Sequence, residues 1–268
     1  MLRSLTLIKV LVAIFFLLIY MSVYMLTTNG KNNFIEKVFD KQINYLDNNY
    51  KLSINQFKII SNNFYEIVLK NPEVLELLYQ AKHAKSDSER TLLREKLYTL
   101  MKSHVERMKA NGLKIMLFSF KDNKTFLRVH KPSKFNEDLS SVRYSIVYAN
   151  ANGKPISGFE EGKISHAFRN IYPLHYRNEH LGSVDIAFSS EALQKNTSLL
   201  HVVHTHFIIN KSIFDTNIWK MENKVNYTQS MEYNNFILSI PSAEINNNDN
   251  NPDKLFASNT TLNKKIDD

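Results

Sequence analysis

The chain has 268 residues, 43% of them hydrophobic and 22% charged, with a formal net charge of +8 and no cysteine. The lack of cysteine excludes disulfides, thiolate metal sites and cysteine nucleophiles, and it leaves the cellular compartment open. The basic residues are spread along the chain, so the charge does not by itself indicate nucleic acid as a partner. The length allows one or two domains with a sizeable core.

The N-terminus contains an apolar segment long enough to cross a bilayer. Residues 10–26 read VLVAIFFLLIYMSVYML, and together with the leucines before them they approach the ~20 residues that a spanning helix needs. Arg3 and Lys9 precede the run, which predicts a cytoplasmic N-terminus and an exported remainder. A cleaved signal peptide is the alternative. The length of the run and the lack of an A-x-A-like site favour an uncleaved anchor, and no second span is predicted.

After the anchor, apolar residues recur at steps of three and four between residues 34 and 67. This spacing predicts one face of a long helix that rises from the membrane. The apolar stripe has two interpretations. It is a seam for a homodimer, because helices with one apolar stripe can pair with themselves, or it packs against the rest of the same chain.

Two further helices are predicted before residue 112. Asn71-Pro72 interrupts the long helix, and PEVLELLYQAK forms a short one, since proline fits a first helical turn. Ser86 and Glu89 form a capping box that opens a third helix through about Lys109. Asn111-Gly112 ends that helix. Its predicted buried side consists of Leu93, Leu97, Leu100, Met101, His104 and Met108.

From Leu113 the spacing of the apolar residues changes from the helical period to the two-residue period of strands. Asn152-Gly153 is a hairpin signal, and 189–200 is predicted to be a short helix. The predicted strands are 113–120, 125–131, 144–150, 155–161, 165–176 and 181–189, with 204–214 and 231–240 in a smaller second subdomain. Helices followed by an antiparallel meander predict an α+β fold. From Pro241 the composition predicts disorder.

Four of these strands carry charge on one face and apolar residues on the other. Side chains alternate across a strand, so Phe126, Arg128 and His130 are predicted to share one face, opposite Leu127 and Val129. The same alternation places Glu160, Arg169 and Asp185 on single faces of their strands.

If the register aligns the strands, Arg128, Arg169, Glu160 and Asp185 converge, and Arg143 reaches in from a loop. Two interpretations of this constellation stay open. Antiparallel sheets commonly keep one face in water, so it is a structural charge network, or it is a ligand pocket. Arginine forks suit carboxylates and other oxyanions, and Glu160 or Asp185 would suit an amine.

These residues resemble the double-Cache sensory domain of the third type, which occurs in bacterial sensor kinases, chemoreceptors and diguanylate cyclases. The similarity extends from the membrane-proximal helix to about residue 240 and is strongest over 113–189. The matching positions are Arg128, Val129, His130 and Pro132, then Glu137, Asp138, Leu139 and Arg143, then Gly158, Phe159 and Glu160, then Arg169 and Pro173, and finally Gly182 and Asp185.

The resemblance implies a PAS-like extracytoplasmic ligand sensor. The chemistry of the side chains, above all the arginines, predicts a small anionic or zwitterionic metabolite as the ligand. The candidate ligand contacts are Arg128, His130, Arg143, Glu160, Arg169 and Asp185. The resemblance also implies a bacterial inner-membrane protein with its bulk in the periplasm. Asn136 stands where glycine is expected, and Asp185 where glutamate is usual. Receptors of this kind continue through a second span to a signalling domain. The chain is therefore expected to be a truncated receptor, or a tethered binding module that acts with a separate signalling protein.

The implied organisation has five parts. They are an N-terminal end and anchor (1–27), a long helix with a helical segment (28–112), a membrane-distal PAS-like Cache module (113–190), a partial second Cache-like subdomain (191–240) and a disordered tail (241–268).

Other functional classes have less support from the sequence. HVVHTH (201–206) suggests a metal site, but neither a helix nor a strand presents all three histidines together, and no metal or cofactor is expected. No hydrolase or phosphate-loop motif occurs, and carboxylates beside arginines are poor general acids, so no enzymatic activity is expected. Nucleic acid is not an expected partner, because the basic residues are predicted to lie outside the membrane. A structural or non-signalling receptor remnant remains the alternative function.

Overall fold

The computed structural model describes residues 2–162, 166–200, 207–212, 227–230 and 233–239. The predicted disordered tail and the HVVHTH segment lie outside these ranges. Contacts divide the chain into two units, Met1–Lys51 and Leu52–Asp268.

The first unit belongs to helix α1, Leu2–Phe64. Its residues from Val10 to Leu26 include a continuous series of exposed apolar side chains. In the described part of the chain, α1 is the one helix that is long and apolar enough to cross a membrane, although a signal sequence would meet the same criterion. The predicted long helix is confirmed.

The helices of the second unit begin and end at the predicted signals. A π-helical turn, Tyr65–Leu69, follows α1. Helix α2, Pro72–His83, begins where the Asn71 side chain accepts a hydrogen bond from the Glu73 amide. Asparagine satisfies a free helical amide there, and proline lacks the amide that would need a partner.

Helix α3, Asp87–Lys109, is capped as predicted, with Ser86 Oγ accepting from the Glu89 amide at 3.1 Å. The Glu89 carboxylate accepts a hydrogen bond from the backbone amide of Lys85 rather than from that of Ser86. Four of the six residues predicted on its buried side are buried, and Leu100 and His104 are half-buried. The sequence pattern missed Arg94, which is only 5% exposed.

Five antiparallel strands form the main sheet in the order β2-β1-β5-β4-β3. The strands are β1 Leu113–Phe120, β2 Thr125–Arg128, β3 Ile156–Glu161, β4 His166–Tyr176 and β5 Glu179–Phe188. Arg177 and Asn178 both have positive φ, at 50° and 61°. These angles are those of the two-residue turn that matches the twist of a hairpin.

The two faces of this sheet differ in chemistry. One face packs on the helices and forms the main core with Phe57, Leu97, Met116, Phe118 and Phe188 among its members. The other face carries the charged residues, and a small apolar cluster of Leu117, Leu139 and Ile146 lies there. Phe126 was predicted on the charged face with Arg128. That prediction is wrong, because a bulge opposite Phe118/Ser119 shifts the register and Phe126 joins the main core.

The prediction of a strand at 144–150 is wrong. The segment is helix α4, Tyr144–Asn152, and it packs against β3, β4 and β5. The carboxylate of Glu160 caps it, accepting from Ser145 N at 2.9 Å and Ser145 Oγ at 2.6 Å. Gly153 ends the helix with φ +62°, so the Asn-Gly pair is a helix C-terminus and not a hairpin turn.

A smaller antiparallel sheet follows helix α5, Ser190–Leu200. Its strands β6 Ile208–Asn210, β7 Tyr227–Gln229 and β8 Phe236–Ser239 pair in the order β6-β8-β7. Parts of the strands predicted at 204–214 and 231–240 are thus confirmed, and β7 was not predicted. Mixed helix and sheet confirm the α+β class.

His166, at the start of β4, joins the two sheets and is 1% exposed. Its ring nitrogens lie 2.8 Å from the Tyr227 hydroxyl and 2.7 Å from Ser190 Oγ. Phe207 stacks on the imidazole, with ring centroids 5.2 Å apart. Desolvation, reinforced by Lys114, lowers the pKa of His166 to about 4, so the imidazole is neutral at pH 7.

We expect acid to destabilise this junction. The pKa of His166 is about 4 in the folded chain against ~6.5 unfolded, so the unfolded state binds the proton first as the pH falls. The neutral imidazole makes its full contribution to the free energy of unfolding above pH 6.5. About 2 to 3 kcal/mol of that contribution is lost between pH 6.5 and 4. Urea unfolding at a series of pH values measures it. In His166→Gln the free energy of unfolding should depend less on pH between those limits. An unchanged pH dependence would contradict the role assigned to His166.

Candidate functional site

Two arginines and two carboxylates meet on the charged face of the main sheet. Arg143, just before α4, donates to Glu160 Oε2 at 2.8 Å and to Asp185 Oδ2 at 2.7 Å. Arg169 Nη1 donates to the same Asp185 oxygen at 2.6 Å, and its Nε donates to the Glu160 carbonyl at 3.3 Å. We call Arg143, Glu160, Arg169 and Asp185 the ion cluster.

The register of the sheet brings the ion cluster together. Asp185 lies opposite Leu117 on β1 and Ile171 on β4, and Arg169 lies opposite Gly158 on β3. Paired residues on neighbouring strands share a face of the sheet, so the charged side chains of the central strands lie close together on the same face. The predicted convergence is confirmed for these residues.

The ion cluster is buried. The side chains of Arg143, Arg169 and Asp185 are 6%, 1% and 0% exposed. Burial alone would raise the pKa of Asp185, but the charges of Arg169 and Arg143 outweigh it and hold the pKa below its ordinary value. Asp185 Oδ1 is buried without a hydrogen-bond partner. The Asp185 carboxylate therefore stays ionised between the two guanidinium groups.

Arg128 lies on the same face but pairs elsewhere. Its guanidinium contacts Glu137 Oε2 at 2.7 Å, although the register places Arg128 opposite Leu117, beside Asp185. Glu137 belongs to the loop between β2 and α4. Arg128 thus ties that loop to the sheet rather than joining the ion cluster.

The loop between β2 and α4 is held along its length. Thr125 exchanges backbone hydrogen bonds with it, donating to the Glu137 carbonyl and accepting from Asn136 N. Asn136 has φ +59°. Asparagine tolerates this left-handed conformation better than other residues with a Cβ, so it can stand where glycine was expected. Phe135 lies over the guanidinium of Arg94, with the ring centroid 3.7 Å from Arg94 Cζ.

A cavity of about 200 Å³ lies between this loop and the charged face of the sheet. Ile115 and Leu117 give it an apolar floor, and His130 forms part of its wall. None of the described lining residues is acidic. Its cationic lining residues are Lys114, Arg128, Lys131, Lys134, Arg143 and Arg169.

The cavity has a local excess of positive charge. Carboxylates pair with Lys114, Arg128, Arg143 and Arg169, namely Glu191 at 3.9 Å, Glu137, and the two acids of the ion cluster. Within the described ranges, neither Lys131 nor Lys134 forms an ion pair, and both are exposed. Two ammonium groups at the cavity are therefore free to meet an anion.

The structure thus places the six predicted site residues in two roles. Arg128, His130, Arg143 and Arg169 line the cavity, whereas Glu160 and Asp185 pair with its arginines. Their contact with a ligand stays a prediction. The sequence analysis missed Lys114, Lys131 and Lys134, although the K-x-x-K spacing directly after the RVH element was a usable signal. No group of three or more His, Asp or Glu in the described segments could hold a metal ion.

Three solved sensor domains are similar to the chain at low sequence identity. The E. coli DcuS sensor domain is 13% identical, with a TM-score of 0.42 over 55% of this chain and 98% of that one. The V. cholerae DctB histidine kinase sensor domain is 14% identical, with a TM-score of 0.39, and the match covers 56% of this chain and 58% of that one. The ligand-binding domain of Campylobacter jejuni chemoreceptor Tlp3, in complex with L-norvaline, is 11% identical, with a TM-score of 0.47. The match covers 67% of this chain and 68% of that one.

No curated protein matches the sequence. The family profile described as the double sensory domain of two-component sensor kinases matches residues 43–234, which is most of the chain. Domains of this family sense ligands and are not catalytic, and the apolar N-terminal helix fits a membrane-bound extracytoplasmic receptor. The chain belongs to the double-Cache family of the third type and is an extracytoplasmic sensory domain.

Proposed function

We propose that the chain senses a small anionic metabolite, bound in the cavity between the main sheet and the β2–α4 loop. The observation that carries this proposal is the charge of the cavity. Six cationic side chains line it, no described lining residue is acidic, and two of the lysines have no ion pair within the described ranges. An anion would be attracted to such a surface, and cations would be repelled.

The residues have distinct proposed roles. Lys131 and Lys134 contact the anion from the loop, and Arg128, Arg143, Arg169 and His130 form the wall that it meets. Glu160 and Asp185 act indirectly, because their carboxylates already hold the arginines in place. A zwitterionic ligand is less favoured, since its ammonium group would lie among cations.

The proposed location is the bacterial inner membrane. The apolar part of α1 would be a single uncleaved anchor, with the following residues in the periplasm. Residues 113–190 would form the ligand-binding module and 191–240 a partial second Cache-like subdomain. A ligand would then act by favouring one of two conformations that differ in affinity for it.

A thermal-shift panel tests the proposal. The full chain, purified in detergent, is heated with sulfate, phosphate, succinate, L-malate, propionate and L-lactate, and with glycerol as an uncharged compound. At least one anion should raise the midpoint, because a ligand present at a hundred times its Kd stabilises the folded state by about 2.7 kcal/mol. The shift should be lost in the double variant Lys131→Ala/Lys134→Ala.

Lys102→Ala/Lys154→Ala is the matched control. It removes two exposed lysines of the second unit that do not line the cavity, and it should keep the full shift. A shift that survives equally in both double variants would contradict binding at the cavity. A panel in which no anion raises the midpoint would contradict the proposed ligand class.

A further inference from the structure

His130 is the uncharged polar side chain in a cationic wall. Its Nδ1 lies 3.2 Å from the Met116 carbonyl oxygen. A carbonyl oxygen can only accept, so Nδ1 carries the proton and donates it. In a neutral imidazole the other nitrogen, Nε2, then holds a lone pair and can only accept.

The surroundings of His130 keep its imidazole neutral. Desolvation lowers the pKa of His130, and the charges of Arg128 and Arg169 lower it further. The Met116 carbonyl and Asp185 act in the opposite direction without reversing the shift. Among the described residues, Nε2 has no hydrogen-bond partner. The ring therefore offers an unused acceptor at neutral pH.

The other polar side chains of the described wall cannot accept a hydrogen bond. Lysine and arginine side chains are donors only, so these six side chains can form hydrogen bonds only with acceptor atoms of a ligand. A hydrogen-bond donor on the ligand has Nε2 of His130 as its side-chain partner. An ammonium group could donate there too, but the two lysines without an ion pair in the described ranges, Lys131 and Lys134, would repel it, and no described lining residue is acidic. A hydroxyl group donates without that repulsion.

We propose that His130 selects small anions that carry a hydroxyl group, so that the ligand class is a hydroxy acid. The inference rests on the proposed function, since it concerns the same cavity. The anionic group meets Lys131 and Lys134, and the hydroxyl donates to Nε2. His130 is exposed, so an analogue without the hydroxyl leaves Nε2 to water and forfeits one hydrogen bond to the protein, which is worth about tenfold in affinity.

Isothermal titration of the full chain in detergent at pH 7.5 compares two matched pairs, L-malate with succinate and L-lactate with propionate, and adds L-alanine. The hydroxy acid of at least one pair should bind tenfold or more tightly than its partner, and L-alanine should bind more weakly than L-lactate. His130→Phe should abolish the preference by weakening the hydroxy acid alone. His130→Gln, which keeps an acceptor, should retain part of it. His83→Gln, at an exposed histidine of α2, should leave the preference unchanged.

The outcomes separate this inference from the proposed function. Equal binding within both pairs, with the anions still bound, would overturn the role of His130 and leave the anion sensor in place. Tighter binding of L-alanine than of L-lactate would also overturn it. If none of these organic acids binds while sulfate or phosphate raises the thermal midpoint, the hydroxy-acid inference fails alone. If no anion of either set binds, both proposals fail.

Discussion

The Asp185→Ala variant should lose about 3 to 5 kcal/mol of unfolding free energy. Asp185 Oδ2 accepts from Arg143 at 2.7 Å and from Arg169 at 2.6 Å, in a site where the carboxylate is 0% exposed. The variant would leave two buried guanidinium groups to share Glu160. An uncompensated buried charge costs far more than the lost attraction of an exposed pair. Urea unfolding of the purified chain measures the difference.

Glu106→Ala is the matched control for this loss. It also removes the carboxylate of an ion pair, with Lys109 at 2.7 Å, but both side chains are at least half exposed. Its effect should stay below about 1 kcal/mol. If the two variants lost the same stability, the ion cluster would not be the buried network that holds the charged face together.

Gly182→Ala should destabilise the chain by about 3 kcal/mol or more. Gly182 has φ +154°, and a Cβ built there would lie 1.9 Å from the Ser119 carbonyl oxygen. The contact is with backbone of β1, which cannot rotate aside as a side chain can. The substitution would force β1 and β5 apart beside the pair Phe120–Gly182.

Gly158→Ala is the control, because a Cβ at Gly158 meets nothing within 4 Å. It should change stability by less than about 1 kcal/mol, with a gain as the expected sign. Urea unfolding of both variants decides between a packing effect and a general intolerance of alanine in the sheet. Equal losses would contradict the close approach at Gly182.

The sequence predicted elements well where local signals dominate. Period-2 alternation placed β1, β3, β4 and β5 within two residues of their observed bounds, and the Ser86 cap located the start of α3. It failed for α4, whose Ile146, Val147 and tyrosines suit a strand. The helix is capped by the Glu160 carboxylate, a contact between distant parts of the chain that no local pattern contains.

The candidate site was only partly predictable for a related reason. Alternation identified the charged face of each strand, but register decided which charges meet, and register depends on pairing across the sheet. Arg128 illustrates the limit, since it pairs with Glu137 rather than with Asp185. Lys131 and Lys134 lie in a loop without periodicity, so alternation could not place them, and their K-x-x-K spacing after the RVH element was the one signal that the sequence offered.

The position of a bound anion tests the central claim most directly. Selenate is a suitable probe, because it is a dianion and selenium scatters anomalously. In crystals of the full chain soaked with selenate, we predict an anomalous selenium peak in the cavity, about 4 Å from the ammonium nitrogen of Lys131 or Lys134, as expected when a selenate oxygen accepts a hydrogen bond of about 2.8 Å from that nitrogen. A cavity that holds only water, with selenate at exposed lysines elsewhere, would contradict an anion-sensing site.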